Sequence, residues 1–279
     1  MTPTLLTDRG IEERRSGQLS YLERRADSDT VTVFFHGLGL DATDYLGYLR
    51  QHDRHSVALN LRGYEPDGAG VPPVPLARHI QMAAAFVEQI GRQNAGKKLV
   101  LVGFSLGADL ILQVAEHWAE RGGDVPPLAA AVLLDPNVNQ STMTISRLFA
   151  VADPHDPVPA FKELINLAPD KDGFRSLCSY LAKVAPKDFS QVRQLSQDMI
   201  TYWDQPGYDQ FGTRLNNVAH IAERVRVVLS AAYQEHLSSM RAALGRRDGD
   251  AKISVRLTEL DHFDLIGDEI LSPELDALT

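Results

Sequence analysis

The chain has one cysteine, Cys178, in 279 residues. No intrachain disulfide can form, and this cysteine usage fits a reducing compartment. No apolar run approaches the roughly 18–20 residues that a bilayer-spanning helix needs. The opening stretch, MTPTLLTDRGIEERRSG, lacks the apolar core of a signal peptide. Basic residues are in deficit: 28 Lys and Arg stand against 37 Asp and Glu, a net charge of −9. Nucleic-acid and anionic-membrane surfaces select clustered Lys and Arg, so neither partner is expected. There is no H-E-x-x-H, no paired Cys, no P-loop and no G-x-G-x-x-G at a strand–helix junction, so no metal and no cofactor are expected. Internal repeats and low-complexity tracts are missing too. The expectation from these absences is a soluble, cytoplasmic protein; the charge says little about a small-molecule ligand.

What is present is ordinary globular material, 44% hydrophobic and 23% charged. Short apolar runs alternate with longer amphipathic segments. The runs are VTVFF (31–35), SVALNL (56–61), KLVLVGF (98–104), LAAAVLL (128–134), VRVVLSAA (225–232) and KISVRLTEL (252–260). Several are apolar at nearly every position, as in strands covered on both faces. Leu76, Ile80, Ala83, Val87 and Ile90 share one helix face after the Pro/Gly-rich loop at 65–75, and Leu106, Leu110, Ile111, Val114 and Trp118 share another. This alternation predicts an α/β fold with a mostly parallel sheet flanked by helices. QLSYLERRA (18–26) alternates as an exposed antiparallel edge strand would. From Pro136 to about Asn217 only short helices are predicted. The expected division is a core of 1–135 and 218–279, with a helical lid at 136–217 inserted between strands.

The chemistry concentrates at strand ends. GFSLG (103–107) is a G-x-S-x-G pattern between an apolar strand and a helix, the context of a nucleophile elbow. Such a turn projects the hydroxyl of Ser105 above the sheet edge and aims the first free N–H groups of the following helix at the same spot. Leu106 would then give one oxyanion donor. The strand VTVFF ends in His36-Gly37-Leu38-Gly39, where a second donor, the Leu38 N–H, can face the same oxygen; His36 reads as a structural residue of that loop. His262, in LTELDHFDLIG, directly follows the last strand and suits a general base. Asp109, on the helix after the elbow, reads as a surface or helix residue, HDRH (52–55) as a solvated turn, and Cys178 as lid core.

FFHGLG, NLRGYEPDG and GFSLGA together resemble the α/β-hydrolase superfamily. The resemblance implies the α/β-hydrolase fold, with Ser105 as nucleophile, His262 as general base and Leu38 and Leu106 as oxyanion donors. Asn60 stands where many members have Asp. The DHF at 261–263 is similar to the histidine motif of polyketide and non-ribosomal peptide thioesterases. Two residues compete as the acid. Asp135 directly follows LAAAVLL, where the thioesterase branch places its acid, while Glu235 falls where the wider family's V-x-V-L-x-x-x-G-x-x-D ends, with Ala232 in place of the turn glycine. Asp153 and Asp156, in DPHDPVP, are a third site for the acid.

The resulting expectation is a serine hydrolase that cleaves an ester or thioester through an acyl-enzyme. Its substrate would be a hydrophobic small-molecule acyl compound or a carrier-bound acyl chain, as apolar lid residues such as Leu148, Phe149, Phe161, Leu164, Leu177, Tyr180 and Trp203 suggest. Two alternatives stay open: the same triad in elimination, cyclisation or C–C cleavage, or a ligand-binding homologue without turnover.

Overall fold

A computed structural model of the chain describes residues 10–64, 72–122, 125–245 and 252–278. Most of the Pro/Gly-rich loop, 65–71, and the end of the NLRGYEPDG motif lie outside the described residues. Eight strands make one sheet in the order β1-β2-β4-β3-β5-β6-β7-β8. They are β1 (Ile11–Ser16), β2 (Leu19–Arg24), β3 (Thr30–Phe35), β4 (His55–Leu59), β5 (Lys98–Phe104), β6 (Leu128–Leu134), β7 (Ala222–Leu229) and β8 (Ile253–Leu257). β1 pairs with β2, and β2 with β4, antiparallel; every other pair is parallel. The mostly parallel sheet is the one that strand–helix alternation predicts.

The amino-terminal side differs from expectation. QLSYLERRA supplies β2, but β2 is not an edge: β1 covers it in a hairpin turned at Gly17, whose φ is +58°. β1 reads IEERRS and buries only Ile11, because a true edge can leave polar side chains in water. HDRH is a solvated turn only in part, with Asp53 exposed. His52 ends α1 (Leu46–Gln51), and His55 opens β4, buried with Nε2 3.0 Å from Glu23 Oε1.

Helices α2 (Leu76–Gln93), α3 (Leu106–Arg121) and α8 (Asp209–Ile221) pack in a row, continued by α9 (Leu237–Leu244); α10 (Asp268–Asp276) packs on α1. Every residue of α3 from Leu106 to Ala115 is buried, so this helix is covered all round rather than on one stripe. Each fully buried Val, Leu or Ile contributes about 1.5–3 kcal/mol, so β5, β6 and α3 form a rigid base for the loops at their ends.

Four helices are inserted between β6 and α8: α4 (Thr144–Val151), α5 (Val158–Asn166), α6 (Lys171–Val184) and α7 (Phe189–Tyr202). Asp170 starts α6 by accepting the N–H groups of Asp172 and Gly173. The only strand-like feature described there is an isolated bridge between Asp153 and Asp156. α8, within the segment predicted as inserted, packs on α3 and β7 as the crossover into the last strands. Among the described residues no helix is long and apolar enough to cross a membrane.

Candidate functional site

β5 ends at Phe104 and α3 begins at Leu106, so Ser105 alone turns the chain. Its backbone sits at φ 51°, ψ −119°, a region that costs a non-glycine residue on the order of 1–3 kcal/mol. The surroundings hold it there. Its N–H donates to Leu134 O at 2.8 Å, and its carbonyl accepts from Ala108 and Asp109 at 2.9 and 3.1 Å. The flanking glycines are steric necessities: a Cβ on Gly103 would lie 2.4 Å from Gly107 O, and one on Gly107 2.2 Å from Phe35 O.

The same device recurs one strand over. Asp135 directly follows β6 with φ 46°, and its N–H donates to Val228 O at 2.8 Å. Its side chain is fully enclosed and accepts three hydrogen bonds, from Ser230 N (2.6 Å), Ser230 Oγ (2.6 Å) and His262 Nδ1 (2.7 Å). A carboxylate only accepts, so the bond places the imidazole proton on Nδ1 and leaves the Nε2 lone pair as an acceptor. His262 begins the short 3-10 turn His262–Ile266, with its ring centroid 4.7 Å from that of Phe104 and 5.0 Å from that of Phe263.

Glu235, the rival to Asp135, does not reach His262. A 3-10 turn at Ala231–Tyr233 carries the chain away from the sheet edge, leaving the Glu235 side chain 83% exposed beside His236. Ser230, the first residue after β7, stands at the site instead, as a partner of Asp135. Sequence reading passed over it, although its place directly after VRVVL was the available signal. Asp153 and Asp156 are exposed in the turn between α4 and α5, where Asp153 accepts the His155 N–H.

The loop after β3 completes the arrangement. Leu40 N–H donates to Gly37 O at 3.1 Å across a turn in which Gly39 has φ +73°. His36 is buried: its Nδ1–H donates to Gly37 O at 2.8 Å and its Nε2 accepts the Leu61 N–H at 3.0 Å. Burial holds its pKa down to about 4, so it is the neutral, structural residue expected. Asn60 is buried: its Oδ1 accepts from Ala42 N (2.7 Å) while its Nδ2 donates to Ser20 Oγ (3.0 Å).

Leu38, Leu106, Ser105, Asp135 and His262 all border one cavity of about 330 Å³. The Leu106 N–H is the first of its helix and has no intrahelical partner; the Leu38 N–H meets no acceptor among the described residues. Leu164, Leu177 and Tyr180 of the insertion wall the cavity, and among the described residues no Lys or Arg lines it. Phe149 and Trp203 are instead packed inside the protein, and Cys178 is half-buried away from the cavity. Asp109 is not a surface residue. It is fully buried and accepts from Asn137 N (3.0 Å) and Asn137 Nδ2 (2.5 Å), which fastens the chain just beyond Asp135 to α3. Burial pushes its pKa up to about 8 against the lowering effect of those bonds. Among the described residues no cluster of His, Cys, Asp and Glu is suited to a metal ion.

Solved structures share this architecture. An AqdC variant bound to its substrate, from work on recognition and ring-cleavage of the Pseudomonas quinolone signal, superposes with a TM-score of 0.71 at 17% identity, covering 96% of this chain and 98% of that one. MenH from S. aureus gives 0.64 at 13% identity, covering 94% and 96%. A lipase-esterase related protein from Clostridium acetobutylicum gives 0.55 at 16% identity, covering 94% and 100%. At such identities the likeness is one of fold. No curated protein matches the chain. The sequence profile of the alpha/beta hydrolase family matches residues 32–269, most of the chain and every site element described above, and the chain belongs to that family.

Proposed function

We propose that this protein is a serine hydrolase of neutral, apolar esters or thioesters. The observation that carries the reading is the convergence of a strained Ser105, a His262 bonded through Nδ1 to an enclosed Asp135, and two backbone donors on one apolar cavity. In the first half-reaction Ser105 Oγ attacks the carbonyl carbon and its proton passes to His262 Nε2. The carbonyl oxygen becomes an oxyanion facing the N–H groups of Leu38 and Leu106, each donor worth on the order of 10²–10³ in rate. His262 then protonates the departing alkoxide or thiolate. Water repeats the sequence on the acyl-enzyme. Asp135 keeps the ring in the useful tautomer and stabilises its cation.

The cavity supports the substrate class. Among the described residues its wall has no Lys or Arg to neutralise a carboxylate or phosphate, and beyond Asp135, Asp261 and His262 its polar members, such as Thr142 and Ser146, are uncharged. An apolar acyl group fits there, and helices α4–α7 act as the lid over it. The test offers p-nitrophenyl esters and pantetheine thioesters of increasing acyl length in ¹⁸O-labelled water. Hydrolysis that puts one label into the released acid, and that is lost in Ser105→Ala, supports the reading. Turnover without label would assign the site to elimination, cyclisation or C–C cleavage. Ligand binding with no turnover would make the chain a binding homologue.

A further inference from the structure

One helix of the insertion runs beside the loop that carries Leu38. Tyr180 and Val184 of α6, and Lys187 just beyond it, are spaced four and three apart and meet that loop in order. The Tyr180 hydroxyl donates to Leu38 O at 2.9 Å. Val184 fills the space in which a Cβ on Gly39 would fall, 2.7 Å away. The Lys187 ammonium donates to Leu40 O (3.2 Å) and Tyr64 O (3.3 Å) and pairs with Asp41 at 2.6 Å. Lys183 adds an ion pair with Asp44. Tyr180 also reaches the other half of the site. Its ring stacks on Phe263, centroids 4.8 Å apart and planes 26° apart, and Phe263 is bonded to His262.

We propose that Tyr180 is a positioning residue, holding the Leu38 donor and the His262 turn in register with Ser105; the inference rests on the serine-hydrolase reading. Gly39 at φ +73°, with the Gly37–Leu40 hydrogen bond across it, marks a type II turn. The central peptide of such a turn, Leu38–Gly39, is the one whose reversal converts it to type I. Tyr180 bonds the carbonyl of that peptide; the Leu38 N–H belongs to the preceding Gly37–Leu38 peptide, so Tyr180 acts on the donor by anchoring the Leu38 residue from its other side. Donors that must meet a developing oxyanion act best when aimed before the reaction. A helix of the insertion therefore helps to set the oxyanion loop.

Tyr180→Phe tests this, because it keeps the ring stack and removes only the hydroxyl. A trifluoromethyl ketone with an apolar tail is added reversibly by Ser105, giving a hemiketal oxyanion with the serine proton on His262; the matching carbinol cannot be attacked. The variant should lose about 10–100-fold in kcat with KM within about threefold. Ketone affinity should fall by the same factor as kcat, while carbinol affinity stays. Unchanged ketone affinity, or equal losses for ketone and carbinol, would overturn the proposal, the second result making Tyr180 a cavity-shaping residue only. Should Tyr180→Phe not fold, Lys187→Met, which frees the same loop without touching the cavity, is read by the same criteria. If the wild type itself neither hydrolyses esters nor binds the ketone through Ser105, the serine-hydrolase reading falls, and this inference with it.

Discussion

Ser230 gives both its backbone N–H and its hydroxyl to the carboxyl group of Asp135, each at 2.6 Å. The residue just after β7 therefore supports the carboxyl group just after β6, the acid of the proposed triad. Asp135→Asn keeps the volume but loses the charge and disturbs the tautomer, a change that costs about 10⁴ in kcat in a serine protease. A loss of similar order is expected here. Glu235→Gln should stay within a few fold, and Ser230→Ala should fall between the two. Steady-state kinetics with matched thermal melts separate them; a severe Glu235→Gln and a mild Asp135→Asn would reverse the assignment.

The φ of 51° at Ser105 puts backbone strain at the proposed nucleophile. Glycine adopts that conformation freely. Ser105→Gly should therefore melt above Ser105→Ala, by up to about 2–4 °C for each kcal/mol relieved, although both are inactive. Equal melting temperatures would mean that the elbow stores no strain.

Asp109 links pH to stability. Burial keeps its proton on in the folded chain up to about pH 8, whereas an unfolded Asp releases it near pH 4. The folded state binds the extra proton between those values, so this contribution to stability is full below about pH 4 and is lost as pH rises to about 8. Asp109→Asn cannot titrate. Melts from pH 5 to 8.5 should show the variant gaining on the wild type as pH rises, and a constant offset would remove Asp109 from the account.

Leu177 lines the cavity from α6 and is only half-buried. Leu177→Trp should fill acyl space without the core overpacking that costs about 1–3 kcal/mol. kcat/KM for long-chain esters should fall at least tenfold relative to acetate or butyrate esters. A uniform change across chain lengths would place the acyl group elsewhere.

Much of the proposed site could be placed from the sequence because it sits where apolar runs stop. Ser105, His262, Leu38 and Leu106 each follow a strand or open a helix, and local pattern finds such positions. The acid was ambiguous because Asp135 and Glu235 both come after strands. Two features decide between them, a left-handed φ at Asp135 and a 3-10 turn that takes Glu235 outward, and neither has a signature in residue type. Asp109, read as a surface or helix residue, lies on the helix, but α3 is covered on every side and buries it, which residue type does not signal. β1 was missed because an edge strand with one buried residue carries little hydrophobic signal. The contact of Tyr180 with Leu38 spans 142 positions and has no local trace.

The central claim is that Ser105 forms a covalent bond with an acyl-type electrophile. Mass spectrometry of the intact protein after treatment with an alkyl fluorophosphonate, followed by peptide mapping, measures it directly. One adduct per chain is expected, on the peptide bearing Ser105, absent from Ser105→Ala and formed much more slowly in His262→Ala. An unlabelled wild-type protein, or an adduct that persists in Ser105→Ala, would contradict the account.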